Sequence, residues 1–276
     1  MSVLDSLALK YRPKKLSDVI GQPIVVKAFT NAFKSKTLHH AYILSGVFGT
    51  GKTSVGRIIA AMENCKKGGF DPCGECSNCK AIFDGNSMEV KELDAGSEGK
   101  VDDIREIHKS LYQCPVECRT KYVIIDEAHA LTGSAETASL KMIEEPPLHV
   151  RFILCTTDPQ AFKPTIHSRC VSWHFNKVSW QEIFEHLKIV SQKEELSVDD
   201  RALLIAARNA KRSVRSSLQN LQAIINYCGN DRLTEEAAIE ALGVVNESAY
   251  FDLFNAIFEG NMMEAFLFVD ALFKGG

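Results

Sequence analysis

The sequence lacks the features that would place it in or across a membrane. It has no apolar run that approaches the roughly 18 to 20 residues that a membrane helix needs. Residues 1–5 lack the basic-then-apolar pattern of a secretory signal. These absences predict a soluble, cytoplasmic protein without a membrane partner.

The sequence also lacks a marked excess of charge of either sign. Its 276 residues carry a formal net charge of -3. Proteins that bind nucleic acid usually show a basic electrostatic footprint. Composition therefore gives no general argument for nucleic-acid binding, and any contact with DNA must come from a local surface.

Cysteine, by contrast, is abundant and clustered. Four of the nine cysteines, Cys65, Cys73, Cys76 and Cys79, fall within fifteen residues. In a cytoplasmic chain such crowding favours a metal site over disulfides. Four thiolates fill all the coordination positions of zinc, so we expect a closed, structural zinc module at residues 65–79. An iron-sulfur cluster and free buried thiols are the alternatives.

Histidines do not extend this metal chemistry. His39, His40 and His129 have no second histidine at a metal-ligand spacing such as H-E-x-x-H. We expect packing or hydrogen-bonding roles for them rather than metal binding or general-base catalysis.

The chain alternates short β-rich runs with helical stretches, which is typical of a parallel α/β sheet. The five predicted strands are residues 41–44, 88–93, 122–125, 152–155 and 171–175. After Ser179 the apolar spacing becomes helical, and the four predicted helices are residues 180–192, 198–210, 214–227 and 235–242. Aromatic-rich segments beyond Val244 predict the first helices of an incomplete third domain.

The segment from Gly46 to Thr53 fits the pattern G-x-x-x-x-G-K-[ST], between an apolar strand and a helix, as a phosphate-binding loop requires. Its glycines let backbone N–H groups converge on phosphate oxygens. The lysine reaches the β- and γ-phosphates and the threonine hydroxyl binds Mg²⁺. The predicted nucleotide contacts are Gly46, Gly49, Thr50, Gly51, Lys52, Thr53 and Ser54. The alternative is a glycine-rich turn that binds nothing.

Two carboxylates, Asp126 and Glu127, follow a buried strand and are expected to face this loop. We expect Asp126 to hold Mg²⁺ through its water shell, together with Thr53. Glu127 would orient and polarise the water that attacks the γ-phosphate. The alternative is an acidic strand end that caps the next helix.

These motifs lie in a wider ordered pattern. Its further segments are residues 8–13, 18–22, 39–42, 126–129, 140–147, 156–160 and 168–170. The pattern resembles the bacterial DNA polymerase III gamma/tau subunits, the ATPases of the sliding-clamp loader, over nearly the whole chain. The resemblance implies an AAA+ P-loop parallel-sheet domain at residues 1–178 with the inserted zinc module, a small helical lid domain at residues 179–243, and the start of a truncated helical collar domain at residues 244–276.

The resemblance also nominates residues around the nucleotide. The segment that packs around the adenine corresponds to Tyr11, Arg12, Pro13, Val19 and Ile20. Tyr11 and Val19 have a plainer alternative, which is packing of the domain surface. Thr157 corresponds to the sensor residue that touches the γ-phosphate or the attacking water, with Thr156 as the fallback.

Two arginines complete the implied site. Arg169, in the Ser-Arg-Cys motif, corresponds to an arginine that projects into the ATP site of a neighbouring subunit, where it stabilises charge on the transferred phosphoryl group. Arg215 corresponds to a second sensor on the lid. The family usually has Gly-Ser-x-Arg-Asp here, and this chain has Arg212 and Ser216 in place of the glycine and the aspartate, which leaves the local cap and the salt-bridge geometry open.

The implied function is clamp loading with ATP, ADP, Mg²⁺ and Zn²⁺ as bound groups. The subunit would work in a hetero- or homo-oligomeric ring with other clamp-loader subunits, open a sliding clamp and grip the backbone of primer-template DNA, then release both on hydrolysis. A non-hydrolysing scaffold subunit and another AAA+ nucleic-acid motor are the alternatives. Lys100, Arg105 and Lys141 are candidate DNA contacts or ordinary solvated charges. A chain ending at Gly276 is expected to be largely monomeric and weakly active alone.

Overall fold

A computed structural model of the chain describes residues 6–98, 101–131, 133–244, 247–263, 265–267 and 269. Lys100, the side chains of Arg105 and Lys141, and part of the segment from 244 onward lie outside the described residues. The chain divides into two compact units. One runs from Arg12 to Val178, and the other combines Tyr11 and the residues before it with the segment from Ser179 onward.

The first unit is built on a five-stranded sheet with the order β2-β3-β4-β1-β5. The strands are β1 (Ala41–Gly46), β2 (Val90–Asp94), β3 (Lys121–Asp126), β4 (Val150–Thr156) and β5 (Val171–Phe175). All four pairings are parallel. The predicted parallel α/β sheet is therefore confirmed, although β2 begins two residues later than expected, at Val90.

Strand side chains alternate between two apolar layers, because successive residues of a strand point to opposite faces. Tyr42 and Leu44 of β1 belong to one buried cluster, which also holds Phe29. Ala41 and Ile43 belong to the other. The strands therefore read as continuous apolar runs, as expected of a sheet covered on both faces.

The described residues of the first unit form seven helices, of which two are single turns. They are α2 (Pro23–Lys34), α3 (Lys52–Asn64), α4 (Ser77–Phe83), α5 (Ala95–Glu98), α6 (Val101–Leu111), α7 (Gly133–Glu144) and α8 (Pro164–His167), with 3-10 turns at Leu16–Asp18, Ala128–Ala130 and Pro159–Ala161. Helix α3 begins at Lys52, as the phosphate-loop motif predicts. Its inward face is apolar and packs against the sheet, with Ile58 and Ile59 almost fully buried.

The second unit is helical. Its elements are α1 (Leu7–Lys10), α9 (Trp180–Lys193), α10 (Asp200–Arg208), α11 (Val214–Cys228), α12 (Glu235–Leu242) and α13 (Glu247–Phe258). Helix α1 packs on α11, and the Leu7 amide donates to Gln222 Oε1 at 3.3 Å. Helix α9 starts with a capping box made by Ser179 and Glu182. The predicted helices from 179 onward are confirmed to within two residues at their ends; the division into lid and collar stays a prediction.

No helix among the described residues combines the length and the apolarity that a membrane crossing requires.

A substitution at Gly46 tests the close approach of β1 to β5. Gly46 has φ of 143°, and a Cβ there would lie 2.5 Å from the carbonyl oxygen of Phe175. We expect Gly46→Ala to lower the free energy of unfolding by about 2 to 4 kcal/mol, from strain and overpacking together. Urea denaturation measures the change.

Gly229→Ala is the matched control for this prediction. Gly229 also has a positive φ, of 62°, but a Cβ there would meet nothing within 4 Å. It should cost only the backbone strain, about 1 kcal/mol. Equal losses in the two variants would show that the contact with Phe175 contributes nothing.

Candidate functional site

The loop between β1 and α3 has the shape that a phosphate group needs. Gly46, Gly49 and Gly51 have positive φ values of 143°, 75° and 98°, which L side chains rarely adopt. The Thr50 hydroxyl donates to the Val47 carbonyl at 2.9 Å and tightens the turn. The turn leads directly into the N-terminus of α3, where free amides and the helix dipole favour an anion.

Lys52 lies inside this loop rather than in solvent. Its Nζ donates to the carbonyl oxygens of Gly46 at 2.8 Å and Val47 at 3.0 Å, and the residue is 5% exposed. Burial lowers the pKa of Lys52, while the nearby carboxylates of Glu127 and Asp126 act in the opposite direction. A phosphate in the loop would therefore favour the charged ammonium.

The two predicted Mg²⁺ ligands lie together. Thr53 Oγ1 donates to Asp126 Oδ2 at 2.7 Å, although the residues are 73 positions apart in the chain. The other carboxylate oxygen, Oδ1, accepts from the Glu127 amide at 3.0 Å. A hydroxyl and a carboxylate are the oxygen donors that Mg²⁺ takes beside phosphate oxygens and water. This pair therefore fits Mg²⁺ bound next to the phosphate loop.

Glu127 adopts a left-handed backbone conformation, with φ of 45° and ψ of 42°, directly after β3. Such a conformation is costly for a residue with a side chain, and strained residues of this kind cluster at functional sites. Thr157 Oγ1 donates to Glu127 Oε2 at 3.0 Å. Thr156 is instead fully buried and its hydroxyl accepts from the Asp158 amide at 3.0 Å. Of the two sensor candidates, Thr157 is therefore the one that contacts Glu127.

His129 lies beside Glu127 and Thr156, a contact that the sequence did not predict. Its Nδ1 lies 3.0 Å from Thr156 Oγ1 and 3.4 Å from Glu127 Oε2. The sequence predicts only a packing or hydrogen-bonding role. Its position two residues after Glu127 was the only available signal.

The residues nominated around the adenine fall in both units. Arg12 Nε donates to Ser54 Oγ of α3 at 3.2 Å. Val19 lies beside the loop, because a Cβ on Gly51 would stand 3.9 Å from its Cγ1. Pro13 and Ile20 are half-buried in the same unit.

Tyr11 belongs to the helical unit. Its hydroxyl donates to Glu194, and Lys10 forms an ion pair with the same carboxylate at 2.6 Å. Burial, followed by the bond to Glu194, raises the pKa of Tyr11 to about 12. The contacts described for Tyr11 therefore tie the end of α1 to the end of α9.

The two predicted arginines lie in different units. Arg169 forms an ion pair with Glu144 at 3.0 Å, and its NH1 donates to the Thr165 carbonyl at 2.8 Å. Arg215 is in the first turn of α11. The glycine expected before it is replaced by Arg212, which adopts a φ of 64°. Helix α11 is nevertheless capped, because Ser213 Oγ accepts from the Ser216 amide at 3.1 Å.

The four predicted metal-ligating cysteines form a cluster. The Sγ atoms of Cys65, Cys73, Cys76 and Cys79 all lie within 4.8 Å of one another. Three backbone amides point at sulfurs, at distances of 3.3 to 3.5 Å. Amides from Cys76 and Glu75 lower the pKa of the Cys73 thiol to about 6. The sulfurs of a tetrahedral zinc site lie about 3.8 Å apart, so a small contraction of this cluster would accommodate the ion.

Two buried asparagines attach the cysteine cluster to the sheet, and sequence analysis missed both. Asn64, the last residue of α3, donates to the Thr120 carbonyl at 2.9 Å, one residue before β3. Asn78, in α4, donates to the carbonyls of Asn64 at 2.9 Å and Glu117 at 3.0 Å. A buried amide must satisfy its polar atoms, so these residues hold the module in one orientation.

Comparisons with known proteins agree with this geometry. A family model described as "DNA polymerase III, delta subunit" matches residues 21–179. The tau/gamma subunit of DNA polymerase III from Haemophilus influenzae is 40% identical over 92% of this chain, which spans 37% of that relative. The gamma subunit from Buchnera aphidicola of Acyrthosiphon pisum is 37% identical over 96% of this chain, which spans 74% of that relative.

A solved structure shows the same fold. RuvB of Thermotoga maritima, a Holliday junction branch migration motor, superposes with a TM-score of 0.64 over 90% of this chain and 79% of its own, at 19% identity. This likeness confirms the AAA+ fold alone. Since the relatives from Haemophilus and Buchnera match over more than nine-tenths of this sequence, the chain belongs to the DNA polymerase III gamma/tau subunit family.

Proposed function

We propose that the chain is the ATP-hydrolysing motor part of a clamp loader, which opens a sliding clamp and loads it onto primer-template DNA in the bacterial cytoplasm. One observation carries the proposal: Lys52, the pair of Thr53 and Asp126, and the pair of Glu127 and Thr157 all occupy the carboxyl edge of one sheet. A structural subunit would not need all of these groups. Family membership supplies the assembly in which they would work.

Each group has a role that its position supports. Lys52 would neutralise charge on the β- and γ-phosphates, and the glycine turn would direct amides at them. Thr53 and Asp126 would hold Mg²⁺, whose charge would offset the negative charge of the phosphates. Glu127 would orient the attacking water, and Thr157 would connect it to the γ-phosphate. Arg12, Pro13, Val19 and Ile20 would line the nucleotide pocket in the same unit. Tyr11 and Arg215, which belong to the helical unit, stay predicted nucleotide contacts.

Arg169 would act on the ATP site of a neighbouring subunit. Its guanidinium is already partly oriented by the Thr165 carbonyl, the Ser168 hydroxyl and Glu144. A side chain restrained in this way loses less entropy when it meets a phosphate. Hydrolysis would then require correct docking of two subunits, which links the nucleotide state to the shape of the ring.

A second candidate function is a non-hydrolysing scaffold subunit of the same complex, since the matching family model carries the name of a different subunit, delta. Such a subunit would donate Arg169 to a neighbour and turn over nothing itself. Lys52, Asp126 and Glu127 are all present and lie at the same edge of the sheet, which supports the motor instead.

We further propose that the four cysteines bind a structural Zn²⁺. Four thiolates leave no open coordination position, so the ion would stabilise the fold rather than take part in catalysis. The ion would hold residues 65–79 as a rigid insertion beside the end of α3.

Two substitutions separate nucleotide binding from hydrolysis. Lys52→Ala should abolish both, because the phosphates lose their buried cation. Glu127→Gln should retain ATP binding but lower steady-state turnover by about 100-fold or more, since the water loses its orienting carboxylate. Calorimetric binding and phosphate release, measured on the longest form of the chain with its clamp, partner subunits and primed DNA, check both.

Glu185→Gln, an exposed carboxylate on α9, is the matched control and should leave turnover unchanged. Tight ATP binding without any turnover by the wild-type assembly would contradict the motor and favour the scaffold.

A mixing experiment tests Arg169. Arg169→Ala should lose about 10³-fold or more of the stimulated turnover. An equal mixture of Arg169→Ala and Glu127→Gln subunits should restore activity at about a quarter of the interfaces. Random assembly places a subunit with an intact Glu127 next to one with an intact Arg169 at that frequency. A mixture of Glu127→Gln with a variant that carries both Glu127→Gln and Arg169→Ala should stay inactive, because no subunit then has an intact Glu127. Absence of recovery in the first mixture would show that Arg169 acts within its own subunit.

Metal analysis tests the zinc proposal. The wild-type chain should carry about one zinc ion, and Cys76→Ser should lose it together with about 2 kcal/mol or more of stability. Elemental analysis and thermal unfolding measure the two effects. Cys228→Ser, outside the cluster at the end of α11, should keep its zinc. An iron signal in place of zinc would overturn the assignment.

A further inference from the structure

His129 stands next to the group that would orient the attacking water. It lies on the 3-10 turn Ala128–Ala130, two residues after Glu127. Its Nδ1 is 3.4 Å from Glu127 Oε2 and 3.0 Å from Thr156 Oγ1. The side chains of His129 and Glu127 are 29% and 26% exposed, and Thr156 is fully buried. The contacts therefore form in a partly enclosed place, where hydrogen bonds direct side chains more strongly than at an open surface.

The backbone holds these side chains together. The left-handed conformation of Glu127 turns the chain sharply at the end of β3. The Ala130 amide then donates to the Glu127 carbonyl at 2.8 Å, and the Leu131 amide donates to the Ala128 carbonyl at 3.2 Å. A tight, hydrogen-bonded turn fixes where the imidazole can lie relative to the carboxylate. The approach of His129 to Glu127 is thus a property of the fold at this point and not of a flexible loop.

The two groups next to His129 favour one tautomer of its ring. An ionised Glu127 can only accept hydrogen bonds. If Nδ1 lacked a proton, its lone pair would face this carboxylate at 3.4 Å, which is unfavourable. If Nδ1 carries the proton, it can donate to Glu127 Oε2 and to Thr156 Oγ1. A bare Nδ1 could accept from the Thr156 hydroxyl but would still turn its lone pair to Glu127, so an Nδ1–H is the form that suits both neighbours.

Both side-chain contacts of Glu127 fall on the same oxygen. Thr157 Oγ1 donates to Oε2 at 3.0 Å, and His129 Nδ1 approaches Oε2 at 3.4 Å. Oε1 takes part in neither contact. The hydrogen bond from Thr157 and the contact with His129 on one oxygen restrict rotation of the carboxyl group, so the second oxygen keeps a defined direction.

We propose that His129 is a positioning residue for Glu127: its Nδ1–H, together with the Thr157 hydroxyl, fixes Oε2 so that Oε1 is presented to the attacking water. The inference deepens the proposed ATPase function and rests on it. His129 also connects Glu127 to Thr156 at the end of β4, so a shift of that strand end would be transmitted to the carboxylate. His129 would thus act through Glu127 and not directly on the nucleotide.

Kinetics of three variants test the proposal. His129→Ala should lower kcat for ATP by about tenfold or more with little change in KM, because a small misplacement of a catalytic group costs rate rather than binding. His129→Asn should recover most of kcat, since its amide nitrogen reaches the place of Nδ1. His129→Gln places its amide nearer the position of Nε2 and should resemble His129→Ala.

A fourth variant provides the control. His149→Asn changes a histidine just before β4, at the opposite end of the sheet, whose Nε2 lies 3.0 Å from the Leu111 carbonyl. Its kcat should equal that of the wild type. A full kcat in His129→Ala, or an asparagine variant no better than the alanine variant while both remain folded by circular dichroism, would overturn the proposal.

A spectroscopic measurement keeps the inference testable without turnover. The chain has eight histidines, and selective ¹⁵N labelling with long-range ¹H–¹⁵N correlation reports the tautomer of each neutral ring. His129, assigned by loss of its signal in His129→Gln, should be the Nδ1–H tautomer in the wild type. In Glu127→Gln this preference should weaken. An Nε2–H tautomer of His129 in the wild type would overturn the proposal.

The two measurements separate failure of the inference from failure of the proposed function. If the assembled wild type hydrolyses no ATP, the motor function fails, and the tautomer still decides whether His129 is directed at Glu127. If turnover is present and depends on Glu127 but not on His129, the motor function stands and the inference is wrong.

Discussion

Parallel pairing of β1 with β4, and of β4 with β3, decides where the charged groups of this molecule lie. Ser45 of β1 is in register with Thr156 of β4, and Ile125 of β3 is in register with Leu154 of β4. Parallel strands bring their carboxyl ends to one edge, so the phosphate loop, the aspartate after β3 and the threonines after β4 meet there. The adjacency of β3, β4 and β1 in the sheet is what brings three distant sequence motifs to one edge.

The electrostatics of the site follow from this edge. A buried ammonium is unfavourable unless polar groups surround it. Lys52 meets this requirement with two carbonyl oxygens of its own loop, and with carboxylates opposite it. The Asp126 carboxylate accepts hydrogen bonds from the Thr53 hydroxyl of α3 and from the Glu127 amide. The groups that would receive a nucleotide and its metal are therefore held in place by one another, which reduces the rearrangement that binding requires.

The cysteine module depends on the same α3 helix. The helix that begins at the phosphate loop with Lys52 ends at Asn64, and Cys65 follows at once. Asn64 and Asn78 fasten the module to the segment before β3, the strand that ends at Asp126. A metal bound to the four cysteines would thus stiffen the C-terminal end of α3 and the start of β3. The opposite ends of these two elements carry Lys52 and Asp126, which are predicted to bind the nucleotide and its metal. This is a physical reason for a structural metal within an ATPase fold.

Much of the fold and of the candidate site could be predicted from local sequence patterns. Apolar runs between helical segments indicated the parallel sheet, because a buried strand needs apolar residues on both faces. The glycine spacing from Gly46 to Gly51 indicated a phosphate loop, because few residues tolerate positive φ. The cysteine spacing indicated a cluster that could bind a metal, because four thiolates at short intervals have few other uses. Which distant groups meet became clear only from the three-dimensional arrangement of the strands. The choice of Thr157 over Thr156 as the partner of Glu127, the approach of His129, and the anchoring by Asn64 and Asn78 all depend on contacts across strands. Local sequence patterns carry no information on such contacts, since they are set by strand order and register.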